Sequence, residues 1–450
     1  MRPTRLQKSL VVLSAFVCFS FLPTHAFAQY IVDCSGKTPG AFTTINSVIP
    51  LLTNGAAVRI TGTCTENVTI SGLNNLWIGA PWGQTMNLQG NLSINGMQNL
   101  FIYGMNITNP SGDGIDINNS VGVTLDDCTS SNNSGHGLSI GSSVASIQNT
   151  GAFNNNGGAG VWVTTNTYLS FGWCAGPFSI SNNLGDGIWL AESVLDSFGN
   201  LIISNNRSYP IGAAPSPGSG FGIELWGHGR AGVGGSCAPN VISGNQAGGV
   251  AIYEGSEISL YGLPPFPAGV SWGNIIEGNG PIGVSVGLGS QATIKDGIQI
   301  TNHPDAGVDV YAHSQVFING NNQIADNGTG SSSSYPTQAG VRVDGNSEAY
   351  IRGGQISGNG GPGILALVNS SIDLSGATLT SNLGGPIVCD SSAWMVSDLP
   401  VPSTPLGPAL PCKVPNTFGP RVHPFSASPI PDTSQIKAEE AKYQQLISSF

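Results

Sequence analysis

Two kinds of residue in this 450-residue chain have the types and spacing to do chemistry together: a row of aromatics and a thin set of carboxylates. Trp162, Trp189, Trp226 and Tyr253 fall in two neighbouring columns of an internal repeat, with Glu224 among them and Asp186 just before Trp189. Flat aromatic faces beside hydrogen-bonding groups suit sugar rings, and an exposed aromatic row on a protein surface marks a binding face. Hydrolysis of a glycosidic bond needs two carboxyls, ~5–5.5 Å apart for retention of configuration or ~6.5–9.5 Å for inversion. Two pairs are candidates. Glu224 with Asp186 lies beside the tryptophans, and Asp309 with Asp344 sits on neighbouring coils, where strand and coil spacing puts them ~8 Å apart. Arg342 shares the column of Asp309, so an exposed ion pair is the competing reading there. Arg342 also joins the aromatics as a ligand-binding candidate, with Arg230 and Lys295 the other bases near the outer face.

Elimination chemistry on an acidic sugar needs a base and something to neutralise the sugar carboxylate. Asp113, Asp116, Asp126 and Asp127 are close in sequence and could hold a hard cation through oxygen ligands. No basic residue accompanies them, and turn-capping is the better reading. No other cofactor or metal is expected.

These residues are positioned by a repeat over 112–387: Gly, an apolar residue, any residue, an apolar residue. Copies include Gly114-Ile115-Asp116-Ile117, Gly160-Val161-Trp162-Val163, Gly187-Ile188-Trp189-Leu190, Gly222-Ile223-Glu224-Leu225 and Gly340-Val341-Arg342-Val343. Successive Gly positions lie 23 to 35 residues apart, and the shortest spacing is the bare repeat. A self-similar period of this size predicts a solenoid. Apolar residues alternate within each copy, so each is a short strand with one face inward. The residues two and four after the Gly then face outward, which places the four aromatics and Glu224 on one outer face. Loops inserted at 208–219, 227–240 and 262–269 fall on the same coils and either wall a cleft or cover the aromatics. Asn133, Asn156, Asn183, Asn245, Asn279, Asn359 and Asn382 each stand four residues before the phase position. They predict an internal ladder of side-chain amides.

Bulk properties bound the rest. Only 9% of residues are charged and 40% are hydrophobic, so the chain folds. Residues 1–28 read as a cleaved secretory signal: a basic start, an apolar core over 10–22 and Ala26-Phe27-Ala28 before the cleavage point. No second hydrophobic span follows. Removing Arg2, Arg5 and Lys8 leaves 14 − 3 = 11 bases against 25 acids, a formal charge of −14. That surface excludes nucleic acid and anionic membranes as partners. Export permits disulfides, for which Cys34–Cys64, Cys389–Cys412 and Cys174–Cys237 are the candidate pairs, leaving Cys128 as a buried thiol. Residues 41–52, with Phe42, Ile45, Val48, Ile49 and Leu52, fit a short amphipathic helix that caps the open end. Beyond Asp398 the prolines deny regular strands, and residues 433–450 read as helical.

The Gly-apolar-x-apolar phrase, the Asn-x-Gly turns and the coil length resemble the secreted right-handed parallel β-helix proteins of the pectate-lyase-like fold, over roughly residues 56–396. The resemblance implies an all-β right-handed parallel β-helix. It implies no one activity, since polysaccharide lyases, polygalacturonases and phage tailspikes share the fold. In lyases of this kind Ca²⁺ held by acids often does the neutralising, so Ca²⁺ is expected only if the protein is a lyase. Gly112-Asp113-Gly114-Ile115-Asp116-Ile117 and Gly135-His136-Gly137 are similar to polygalacturonase fragments, but the set is incomplete and out of order.

The expected organisation is therefore a signal over 1–28, an N-terminal cap over 29–55, the β-helix over 56–396 and a Pro-rich tail over 397–450. The expected function is an exported protein that binds a polysaccharide on its aromatic-lined face, with hydrolase or lyase activity there as a possibility. The alternative is a non-catalytic structural or adhesin-type surface protein.

Overall fold

The computed structural model describes residues 28–172, 176–198, 200–208, 220–235, 238–262, 273–330 and 338–397. Among these the chain is an all-β parallel solenoid. One strand from each coil enters a 13-stranded sheet that begins with Val68–Ser71 and ends with Ile387–Cys389. This is the sheet of the Gly-apolar-x-apolar phrase. Its neighbours pair in parallel without slippage, so Trp162 lies beside Trp189, Trp189 beside Glu224 and Glu224 beside Ala251. The remaining strands form a 26-stranded sheet that wraps the rest of each coil.

The alternation holds the core together. Ile188 and Leu190 are fully buried, as are Ile223 with Leu225 and Val341 with Val343. Each such side chain contributes about 1.5–3 kcal/mol on leaving water. The phase glycine is required by close approach. A Cβ on Gly187 would strike the Ile203 side chain and the carbonyl of Gly222 on the next coil.

An amide ladder runs inside the turn before that sheet. Asn156 Nδ2 donates to Asn183 Oδ1 at 2.9 Å, Asn183 to Asn206 at 2.9 Å, Asn206 to Asn245 at 2.8 Å and Asn245 to Asn279 at 2.8 Å. It resumes as Asn327–Asn359–Asn382. Asn206 and Asn327 escaped the phase count because insertions separate them from the next phase glycine. His303 takes the intervening rung: its N–H donates to Asn327 Oδ1 at 3.1 Å. Burial holds its imidazole neutral and its pKa down at about 4.

Two expectations need correction. Residues 41–52 form bends and one 3-10 turn, Ile49–Leu51, in place of a helix. Pro50 lacks a donor and disfavours helical geometry before it, while Glu66 takes the Ile45 and Asn46 N–H groups. Ile45, Val48 and Leu52 are nonetheless buried. The stretch 227–240 is no covering loop: Arg230–Gly235 is a strand between Val194–Ser197 and Glu257–Gly262. Its glycines hid the alternation, and they make room for the Tyr261 ring. The four aspartates fall on two different sheets. Asp126 and Asp127 belong to Val121–Ser130 in the larger sheet, while Asp113 and Asp116 attend the other.

Cys34 and Cys64 form a disulfide with a Cα–Cα distance of 5.2 Å, and Cys128 is a buried free thiol with its pKa pushed up to about 12 by burial. Cys389 is disulfide-bonded. Cys412, Cys174 and Cys237 lie outside the described residues, as do the signal over 1–27, the loop over 209–219 and the tail over 398–450. Among the described residues no helix is long and apolar enough to cross a membrane.

Candidate functional site

Parallel in-register coils ~4.8 Å apart bring same-column side chains to stacking distance. The Trp162 and Trp189 rings lie 3.7 Å apart at 8°, and the His136 ring stacks on Trp162 at 4.7 Å and 23°. The rings thus face one another and not outward, so the row is not a set of separate flat platforms. Trp189 is 9% exposed, while Trp162, Trp226 and Tyr253 are half-buried. Trp226 meets Tyr253 edge-on at 5.1 Å and 63°.

Glu224 continues the column below Trp189 and is 4% exposed. Its Oε1 accepts the Trp226 Nε1 proton at 2.8 Å. Asp186, at the turn into the Ile188–Ala191 strand, is fully buried, with the Glu224 carboxyl as its charged neighbour. Its Oδ1 accepts the N–H groups of Gly220 and Phe221 at 2.9 and 2.7 Å. Its Oδ2 has no donor, and neither does the Trp189 Nε1–H have an acceptor. Burial, then the Glu224 charge, raises the Asp186 pKa well above the carboxylate range, and the two backbone donors only partly oppose this.

The second pair is built differently. Asp309 is 1% exposed, and both of its oxygens are taken by Arg342: Nε to Oδ1 and Nη2 to Oδ2, each at 2.7 Å. Burial raises the Asp309 pKa and the guanidinium opposes it. Asp344 is half-buried and adds repulsion to Asp309. The structure therefore makes Asp309–Arg342 a bidentate ion pair, the competing reading of the sequence. Arg230 and Lys295 pair with Glu257 and Asp296 on strands of the other sheet or its turns.

One group was undervalued in the sequence. The phrase Gly135-His136-Gly137 fits any coil, yet His136 ends the indole stack. Its backbone N–H donates to Asp113 Oδ1 at 2.5 Å, and its ring Nδ1 accepts the Ala159 N–H at 2.9 Å. Accepting at Nδ1 places the proton on Nε2, and burial lowers the pKa, so the ring is a neutral imidazole. Asp116 accepts from Asn91 at 2.7 Å and is raised to about 6 by burial, against the Asn91 hydrogen bond, with Asp113 adding to the rise. Gly-His-Gly two residues before an outward position, one coil ahead of Trp162, was the available signal.

The class defined by these coils is the parallel β-helix. A family model described as "Right handed beta helix region" matches residues 90–263. Among similar solved structures, pectate lyase Pel9A is 14% identical, covering 60% of this chain and 75% of its own, with a TM-score of 0.37. The A-module of mannuronan C-5 epimerase AlgE4 from Azotobacter vinelandii is 13% identical, covering 78% of this chain and 94% of its own, at 0.42. A family 28 exopolygalacturonase from Yersinia enterocolitica is 11% identical, covering 82% and 77%, at 0.25. No curated protein matches the chain in sequence.

Proposed function

We propose that the outer face of the 13-stranded sheet, at the coils of Trp162, Trp189 and Glu224, binds a polysaccharide. The observation that carries this is the pair of buried, partnerless polar atoms beside Glu224: Asp186 Oδ2, an acceptor, and Trp189 Nε1, a donor. Leaving such a group unpaired costs about 1–3 kcal/mol. A sugar hydroxyl both donates and accepts, and so answers both kinds of need. Trp162, Trp226 and Tyr253, half-exposed around them, supply the apolar rim that sugar rings pack against. The raised pKa of Asp186, set by burial and then by Glu224, suits the role of a general acid on this face. Export by the segment 1–28 belongs to the same proposal, and the Cys34–Cys64 bond fits an oxidising compartment.

The test is a panel of soluble polysaccharides, read by affinity electrophoresis, new reducing ends and absorbance of 4,5-unsaturated uronates. Retardation by one glycan, weakened ~10–100-fold in Trp162→Ala, supports the proposal. Reducing ends that vanish in Glu224→Gln add hydrolysis to it. A second reading, a non-catalytic scaffold, has one observation in its favour: Trp189 is spent on stacking. Silence across the panel, with Trp162→Ala costing only stability, establishes that reading instead.

A further inference from the structure

The charge on this face says which glycans it takes. We infer that the ligand is an uncharged polysaccharide and not a polyuronate, an inference that rests on the reading of the face as a glycan site. Acids on or beside the 13-stranded sheet include Asp113, Asp116, Asp186, Glu224, Asp309 and Asp344. Of the described Lys and Arg residues, Arg342 alone lies on a strand of that sheet, and its guanidinium is taken by Asp309. His136 is neutral, with Nδ1 already accepting a backbone N–H. Arg207 is exposed at the turn whose backbone packs on Gly220. One exposed cation cannot offset two carboxyl clusters, and charges across a low-dielectric wall are screened far less than in open solution.

A uronate carboxylate brought to Trp189 would meet the Asp186–Glu224 pair. Direct recognition of carboxylates favours Arg or Lys donors, and no described side chain of that type faces the pair from its own strand, from Val161–Thr164 or from Phe221–Trp226, so a bridging cation is the remaining route for a uronate and is an arm of the test. A neutral hydroxyl suits the pair. It donates to Asp186 Oδ2 or accepts from Trp189 Nε1, both partnerless and both more than nine-tenths buried beside Glu224. These two atoms are independent of the acidic count, and they ask for a ligand that carries donors and acceptors without charge.

The experiment compares affinity for two sets of probes at low ionic strength: neutral galactan, mannan, xylan and mixed-linkage glucan, against polygalacturonate and alginate, each with and without Ca²⁺. The inference expects one or more neutral glycans to bind, and polyuronates to bind at least tenfold more weakly under both conditions. It also expects Glu224→Gln to weaken the neutral ligand about tenfold. Polyuronate binding that is equal or stronger, with or without Ca²⁺, and sensitive to Trp162→Ala overturns the inference while leaving the glycan site standing. No binding of any probe overturns both. Neutral binding indifferent to Trp162→Ala and Glu224→Gln moves the site off this face, and overturns both as well.

Discussion

Two stretches of one sheet solve the same electrostatic problem in opposite ways. At the coils of Asp309 and Arg342, a buried carboxylate meets a guanidinium that fills both its oxygens. At the coils of Asp186 and Glu224, a buried carboxyl meets another carboxyl, and one oxygen and one indole N–H are left without partners. Backbone and register are the same in both places, and the interior differs at one rung, where His303 stands in for an asparagine on the coil of Asp309. The first arrangement is self-sufficient, as expected of a structural pair. The second leaves polar atoms unpaired, and perturbed carboxyls of that kind cluster at functional sites.

The sharpest break in the comparison comes from Arg342→Ala. It leaves Asp309 buried without its counter-charge and is expected to cost about 3–5 kcal/mol, read as a fall in the urea midpoint. Glycan binding should survive at the coils of Trp162. A result below 1 kcal/mol would mean that the ion pair is no more than surface decoration. Next are Asn206→Ala and Asn327→Ala, one ladder rung near each region. Each strands buried amide partners and is expected to cost about 2–3 kcal/mol. Near-equal losses confine the energetic difference between the regions to the outer face, and a gap above about 1.5 kcal/mol would show that the interiors differ in strength too.

Asp116→Asn has the smallest expected effect, and a pH-dependent one. The folded-state pKa of Asp116 is raised to about 6 from 3.8. Its contribution to stability is therefore fully present below pH 3.8 and lost as pH rises through 6. The Asn variant should match the wild type at pH 3.5 and exceed it modestly at pH 7.5, by about 1–2 °C in Tm for a chain of this size. A gain that is largest in acid would reverse the sign and refute the assignment.

Much of this was legible in the chain. The phase glycine assigned inward and outward positions correctly at Ile188, Trp189 and Leu190, because a side chain there would collide with the next coil. The Asp309–Arg342 pair was legible as one of two readings, since same-column residues of opposite charge must meet in a parallel register. What escaped did so for physical reasons. Asn206 and Asn327 are separated from their phase glycines by insertions that leave the ladder untouched. Arg230–Gly235 has too little side chain to show an alternation. The indole stack was taken for a platform because column membership was read without the coil spacing, and ~4.8 Å is close to ring-stacking distance. His136 was passed over because Gly-His-Gly is also an ordinary coil.

The central claim is that Asp186 and Asp309, both buried carboxylates in one sheet, sit in opposite electrostatic settings. Denaturant unfolding of Asp186→Asn and Asp309→Asn, measured side by side from pH 3.5 to 8, tests it directly. Asp186 has its folded pKa raised chiefly by burial and then by Glu224, so its wild-type stability contribution is present below pH 3.8 and lost as pH rises. Asp186→Asn should equal the wild type in acid and become the more stable protein toward pH 8. Asp309 also has its folded pKa raised by burial, with Arg342 opposing, so the same linkage acts there in weaker form, and Asp309→Asn should gain less toward pH 8 than Asp186→Asn. A gain at Asp309 equal to or larger than that at Asp186 would contradict the account.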